Sequence, residues 1–265
     1  MAQPDQSLST VPSMQELVAP TAWRTVEFIS DLHLQASEPL TFEAWQKYLS
    51  TTQADAVFIL GDLFEVWVGD DAAAAPGFEA DCLGVLRHAA QRTALYFMQG
   101  NRDFLVSAQV MLSCGVTLLD DPTALTFHAR RWLLSHGDAL CLDDIDYQKF
   151  RRQVRDPQWQ QAFLAQPLAV RQNIARQIRS QSEAKHQTGG PYADLDTQAT
   201  CEWLKAANAP TMIHGHTHRP AQHVLGAGFE RVVLSDWDLA ATSPRAEVLQ
   251  MTAAGLQRLP WAQWA

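Results

Sequence analysis

The sequence predicts an α/β layered fold, on three observations. Short apolar runs alternate with helical stretches, the pattern of a sheet covered by helices. Each of five apolar runs ends in a polar cluster drawn from Asp, His, Asn and Gly. In open α/β sheets ligands gather at the carboxyl ends of strands, so these clusters are expected to share one site. Finally, 265 residues with 47% apolar and 18% charged content suffice for one large core, or a domain with an insert.

In chain order, residues 1–22 are rich in Gln, Ser, Thr and Pro and are expected to form a loose tail. They lack the charged start and apolar middle of a signal peptide. Trp23 to Ser30 is β-branched and aromatic, a strand ending in Asp31-Leu32-His33. Pro39 marks a turn before a helix over Phe42 to Leu49. Ala56 to Leu60 is a continuous apolar run of buried-strand type, ending in Gly61-Asp62 with Glu65, Asp70 and Asp71 beyond. Glu79 to Gln91 reads as a helix, and Ala94 to Met98 as a strand ending in Gly100-Asn101-Arg102-Asp103. Leu125–Phe127 and Arg131–Ser135 form a hairpin whose second arm runs into His136-Gly137-Asp138. A helical insert spans about 145–206, broken by Pro157, Pro167 and Gly189-Gly190-Pro191. Thr211 to Ile213 leads into His214-Gly215-His216-Thr217-His218, and strands over Arg231–Leu234 and Ala246–Leu249 close the domain, 23–265.

The bulk charge of −9 argues against non-specific nucleic-acid binding, and no nucleic-acid partner is expected. Cys82, Cys114, Cys141 and Cys201 are scattered without a C-x-x-C pair, so reduced thiols in the cytosol are expected. No run approaches the roughly 18 apolar residues of a membrane span.

Asp31, His33, Asp62, Asn101, His136, His216 and His218 are the candidate metal ligands. A single Asp or His at such a place is better read as a cap or a structural residue. Five strand ends, all polar and all of ligand type, point to a metal site. Mixed carboxylate and imidazole donors suit borderline divalent ions such as manganese, iron or zinc. Alternate residues of an extended chain point the same way about 6.5–7 Å apart. That spacing suits His216 and His218 to two ions about 3.5–4 Å apart.

The series Asp31-x-His33, Gly61-Asp62, Gly100-Asn101, His136-Gly137 and Gly215-His216-x-His218 closely resembles the calcineurin-like metallophosphoesterases over about residues 23 to 240. The resemblance implies a four-layer αββα sandwich, two β-sheets flanked by helices, with the insert as a helical cap. It implies one ion held by Asp31, His33, Asp62 and His218. A second would be held by Asp62, Asn101, His136 and His216, with Asp62 bridging and manganese the expected metal. The longer runs Leu60-Gly61-Asp62-Leu63-Phe64-Glu65-x-Trp67-x-Gly69-Asp70-Asp71 and Gly100-Asn101-Arg102-Asp103-Phe104-Leu105 are similar to one subfamily. That subfamily hydrolyses the pyrophosphate of a diacylated UDP-glucosamine in lipid A synthesis, by water attack at the α-phosphorus, giving UMP and the lipid sugar 1-phosphate.

On that resemblance Asn101, Arg102, His136 and His216 are catalytic, and Asn101, Arg102, Asp144, Ser182 and His216 touch substrate. Arg102 stands where many relatives carry a His that protonates the leaving group. Arginine stays charged and cannot do so, but a leaving phosphate, with a second pKa of about 6, needs little help. Arginine instead offers a planar fork for phosphate oxygens. Beyond the serine the family carries an Asn and a Lys; Ser182-Glu183-Ala184-Lys185-His186-Gln187-Thr188-Gly189 is one residue short, so Lys185 or His186 stands in for the Asn and the Lys has no match.

Residues 145–186 carry a net charge of +5 against −14 for the remainder. Val170, Ile174 and Ile178 recur at helical spacing. The insert reads either as a helix pair packed on the main domain with a solvated basic face, or as a cap that lines an acyl groove and meets anionic lipid. The resemblance favours the cap, with peripheral contact on the cytoplasmic face of the inner membrane. Another dinuclear phosphodiesterase or nucleotide pyrophosphatase is the alternative enzyme, against which Arg102 and the insert speak. A non-catalytic scaffold would be expected to have lost ligands, and all seven are present.

Overall fold

The computed structural model describes residues 11–187 and 193–263, and their side chains outside 181–187 and 263. The chain begins with β1 (Gln15–Val18), β2 (Thr25–Ile29), α1 (Pro39–Thr51), β3 (Ala56–Leu60) and α2 (Phe78–Ala89). It continues through β4 (Ala94–Met98), α3 (Ala108–Ser113), β5 (Val116–Leu119), β6 (Thr123–Phe127) and β7 (Arg130–Ser135). Four helices follow, α4 (Ile145–Val154), α5 (Pro157–Leu164), α6 (Leu168–Gln187) and α7 (Thr197–Ala206). The last strands are β8 (Thr211–His214), β9 (Ala221–Gly226), β10 (Phe229–Val233), β11 (Glu247–Thr252) and β12 (Gly255–Pro260).

These strands form two six-stranded sheets, ordered β12-β11-β2-β3-β4-β5 and β1-β6-β7-β8-β10-β9. Period-two alternation decides which side chain serves which layer. In β3, Val57 and Ile59 face α1 and α2, where Trp45, Tyr48, Leu49, Cys82 and Leu86 cover them. Ala56, Phe58 and Leu60 face the other way, into the space between the sheets, and meet Leu125, Leu134, Ile213 and Val232. Phe28 and Phe58 stack there with ring centroids 5.1 Å apart. Full burial of each stabilises by about 1.5–3 kcal/mol. On the outer face of the second sheet, Leu133 and Met212 are covered by Trp203 and Leu204 of α7. The layers are therefore helix, sheet, sheet, helix, as expected.

Three details differ from the expectation. Residues 15–18, assigned to the tail, form β1, parallel to β6. The Gln15 side chain accepts from Asp120 N–H (2.9 Å) and the Thr123 hydroxyl (3.1 Å), and Glu16 pairs with Arg131 (2.8 Å). Pro39 opens α1 rather than marking a turn before it. Its missing N–H is one that the first helical turn leaves unused. And α7, counted in the insert, belongs to the outer helical layer, so the inserted helices are α4, α5 and α6. Among the described residues no helix is long and apolar enough to cross a membrane.

Candidate metal centre

Strands β2, β3, β4, β7 and β8 deliver their following loops to one place, and all seven candidate ligands meet there. His33 Nε2 lies 3.2 Å from His218 Nε2, and His218 Nε2 lies 3.4 Å from Asp31 Oδ1. Asn101 Oδ1 lies 2.9 Å from His136 Nε2 and 2.8 Å from His216 Nδ1. Asp62 Oδ2 stands between the two halves, 4.0 Å from His33 Nε2 and 3.7 Å from His136 Nε2. Two groups of donors lie close enough to hold an ion: Asp31, His33 and His218, and Asp31, Asp62 and His136, each within 4.8 Å. Asp31 is common to both of these groups. The Asp62 Oδ2 oxygen likewise lies within 4.0 Å of a histidine from each half.

The donor set fits cations. His136 Nδ1 donates to the Leu60 carbonyl (2.9 Å), which leaves its Nε2 facing the Asn101 carbonyl oxygen and Asp62. A ring nitrogen and acceptor oxygens turned on one another need positive charge between them, a proton or a metal ion. Burial alone would lower the His136 pKa, but Asp62, Asp31 and Asp138 outweigh it and push it up to about 9. His33 is raised in the same way, burial being overcome by Glu65 and Asp62. His216 goes the other way, down to about 3, through burial and the neighbouring His136. Asp31 is held well below the carboxylate range, because His218, His136 and His33 outweigh its burial.

The backbone is bent to make this convergence. Asp31, His33, Asp62, His216 and His218 have φ of 55°, 49°, 52°, 67° and 53°, in the left-handed region. Such conformations cluster at functional sites, where the surrounding fold holds them. A Cβ at Gly100 would overlap the Asp62 carboxylate and main chain, and one at Gly215 would overlap Asp31 and Ser30. Those approaches explain the Gly-Asn and Gly-His spacing of the motifs. Asp103 binds the loops together, accepting from the N–H groups of Leu63 and Gly100 (2.8 Å each) and of Asp62 and Phe64 (3.3 Å each). Burial, then the nearby Asp62, lifts its pKa to about 7.

Arg102 lies at the rim. Its main-chain N–H donates to Asp62 Oδ1 (2.8 Å), and its guanidinium lies 3.5 Å from Glu65 Oε1. Asp144 is exposed and caps α4, accepting from Tyr147 N–H (3.0 Å). The Ser182 side chain lies outside the described residues.

Three contributors were missed in the sequence. Glu65 Oε2 lies 2.9 Å from His33 Nδ1. Asp138, wholly buried, accepts from the Tyr147 hydroxyl (2.5 Å) and Arg151 Nε (2.8 Å). The Tyr147 ring lies against His216, centroids 5.9 Å apart. Glu65 and Asp138 both lie inside the quoted motifs, which was their only signal. Much of the insert's positive charge faces inward: Arg151 reaches Asp138, Arg155 donates to the Gly100 carbonyl (2.8 Å), Arg171 pairs with Asp71, and Arg179 pairs with Glu65. The apolar stripe divides too, Ile174 packing on the main core while Val170 is 41% exposed.

Comparison with known proteins agrees with this geometry. The model of the calcineurin-like phosphoesterase family matches residues 25–220. UDP-2,3-diacylglucosamine hydrolase of Chromobacterium violaceum is 47% identical over 244 residues, covering 89% of this chain and 98% of that one. The proteins of that name from Aromatoleum aromaticum and Bordetella pertussis are 46% and 42% identical, covering 79% and 86% of this chain and 88% and 92% of theirs.

Proposed function

The chain belongs to the calcineurin-like phosphoesterase family, and on that basis we propose its reaction. It is a UDP-2,3-diacylglucosamine hydrolase, cleaving the pyrophosphate to give UMP and 2,3-diacylglucosamine 1-phosphate. The observation that carries the reading is the convergence of ligand-type side chains from four loops into two groups that can each hold a divalent ion, with Asn101 of a fifth loop beside them. We assign Asp31, His33, Asp62 and His218 to one ion and Asp62, Asn101, His136 and His216 to the other, with manganese the metal expected on the family pattern and compatible with the mixed nitrogen and oxygen donors. A pair of such ions lowers the pKa of water and neutralises charge on the phosphoryl oxygens.

The protein's own groups do the rest. The Leu60 carbonyl holds the His136 Nδ1 proton in place, so Nε2 is the nitrogen that offers a lone pair once its own proton has left. Arg102 presents its fork to the phosphate oxygens and donates no proton, in keeping with a leaving group that is itself a phosphate. Asp144 and Ser182 are assigned to substrate by the family pattern, and α4–α6 form the cap over the acyl chains. With four of its arginines turned to the body, the cap meets the membrane through its remaining basic and apolar residues, among them Lys149, Arg152, Leu164 and Val170. We place the enzyme at the cytoplasmic face of the inner membrane as a peripheral protein.

The test is UMP release from acylated UDP-glucosamine with Mn2+, for the wild type and for His136→Ala. UMP released by the wild type alone is expected. Faster turnover of a soluble phosphodiester than of the UDP-sugar would overturn the assignment.

A further inference from the structure

A buried carboxylate lies beside the centre without belonging to either ligand group. Glu65 is 5% exposed. Its main-chain N–H donates to the Leu34 carbonyl (3.1 Å), fastening it to the loop that carries His33. Its Oε2 lies 2.9 Å from His33 Nδ1, on the far side of the ring from the Nε2 that faces His218. Its Oε1 lies 3.5 Å from the Arg102 guanidinium and also pairs with Arg179 of α6. Three segments distant in sequence thus send a nitrogen group to one side chain. An ordinary stabilising ion pair accounts for the burial, since a buried charge needs partners. It does not account for which partners are gathered: a metal ligand, the arginine at the reacting phosphate and the cap.

We propose that Glu65 is a positioning residue for the hydrolysis: its carboxylate sets the His33 ring through Nδ1 and aims the Arg102 guanidinium. Through Arg179 the same carboxylate ties cap helix α6 to that arrangement. The inference rests on the roles given above to His33 and Arg102. A carboxylate on the outer nitrogen of a ligating histidine fixes ring and tautomer. A charged pair likewise holds a guanidinium fork in a definite plane.

The experiment uses the full chain with Glu65→Gln, Arg102→Ala and the double variant. Mn2+ is titrated calorimetrically into metal-free protein, and kcat/KM for UMP release is measured at saturating Mn2+. Glu65→Gln is expected to weaken Mn2+ binding about 10–100-fold. If Glu65 acts through Arg102, the double variant loses no more than about twofold beyond Arg102→Ala alone. Mn2+ affinity within about twofold of the wild type, or losses that multiply, overturns the proposal. A fully active Arg102→Ala would instead defeat the assignment of Arg102, and the Mn2+ titration would still judge the hold on His33. Should Glu65→Gln fail to fold, Glu65→Asp carries the same test. It keeps the charge but draws it back by one methylene, and wild-type behaviour in both assays would be equally fatal.

Discussion

Arg102→Ala separates two tasks that meet at one residue. The main-chain N–H of Arg102 donates to Asp62 Oδ1 at 2.8 Å, a bond that alanine retains. The guanidinium makes no contact with the seven candidate ligands among its ion pairs and lies 3.5 Å from Glu65. Glu65 keeps His33 and Arg179 when the guanidinium is removed, so no buried charge is stranded. Stability should therefore change by less than about 1 kcal/mol, and metal content should not change. On the role proposed for Arg102, what is lost is one preorganised charged donor at the reacting phosphate. Removing a donor of that kind lowers kcat by about 10²–10³-fold, or roughly 2.7–4 kcal/mol. UMP release gives kcat and KM, elemental analysis of the purified variant gives bound metal, and urea unfolding gives stability. An unchanged kcat refutes the role, and a loss of metal refutes the division between main chain and side chain.

Gly100→Ala pushes a Cβ into the Asp62 carboxylate, and a displacement near 1 Å should lower kcat/KM about 100-fold in the UMP assay. Arg171, 2% exposed, donates to the Gln166 carbonyl (2.9 Å) and pairs with Asp71 and the Val68 carbonyl. Arg171→Ala leaves those carbonyls without their donor and should destabilise by about 2–4 kcal/mol in urea unfolding. Because the His136 pKa is raised to about 9, the proton it holds in metal-free protein stabilises fully below about pH 6.5 and is lost as pH rises through about 9. Mn2+ must displace that proton, so apparent affinity should climb from pH 6.5 to 9 with proton release, measured by calorimetry in buffers of different ionisation enthalpy. A flat profile would count against His136 as a ligand.

The parallel strands β3 and β4 were legible because they are written as unbroken apolar runs, and β2 because it is rich in β-branched and aromatic residues. Their polar ends were legible for the same reason, as abrupt departures from that run. Edge strands carry no such mark. β1, β9 and β12 alternate or mix half-buried and exposed residues, and what identifies β1 is a partner more than 100 residues away. α7 has the same amphipathic pattern as the cap helices, so only its contact with Met212 and Leu133 shows which body it joins. At the site, the residues that converge were marked by residue type. Glu65 and Tyr147 depend on neighbours chosen by the fold, and the left-handed φ at Asp31 and His218 has no signature in residues as ordinary as these.

That backbone geometry bears on how portable the centre is. A non-glycine residue held in the left-handed region is disfavoured by roughly 1–2 kcal/mol, and five such residues approach the ~5–15 kcal/mol by which a whole domain is stable. Short peptides copying these loops, or the same loops transplanted onto a looser scaffold, should relax to right-handed backbone and scatter their imidazoles. The smallest unit able to grip the ions is then both sheets together.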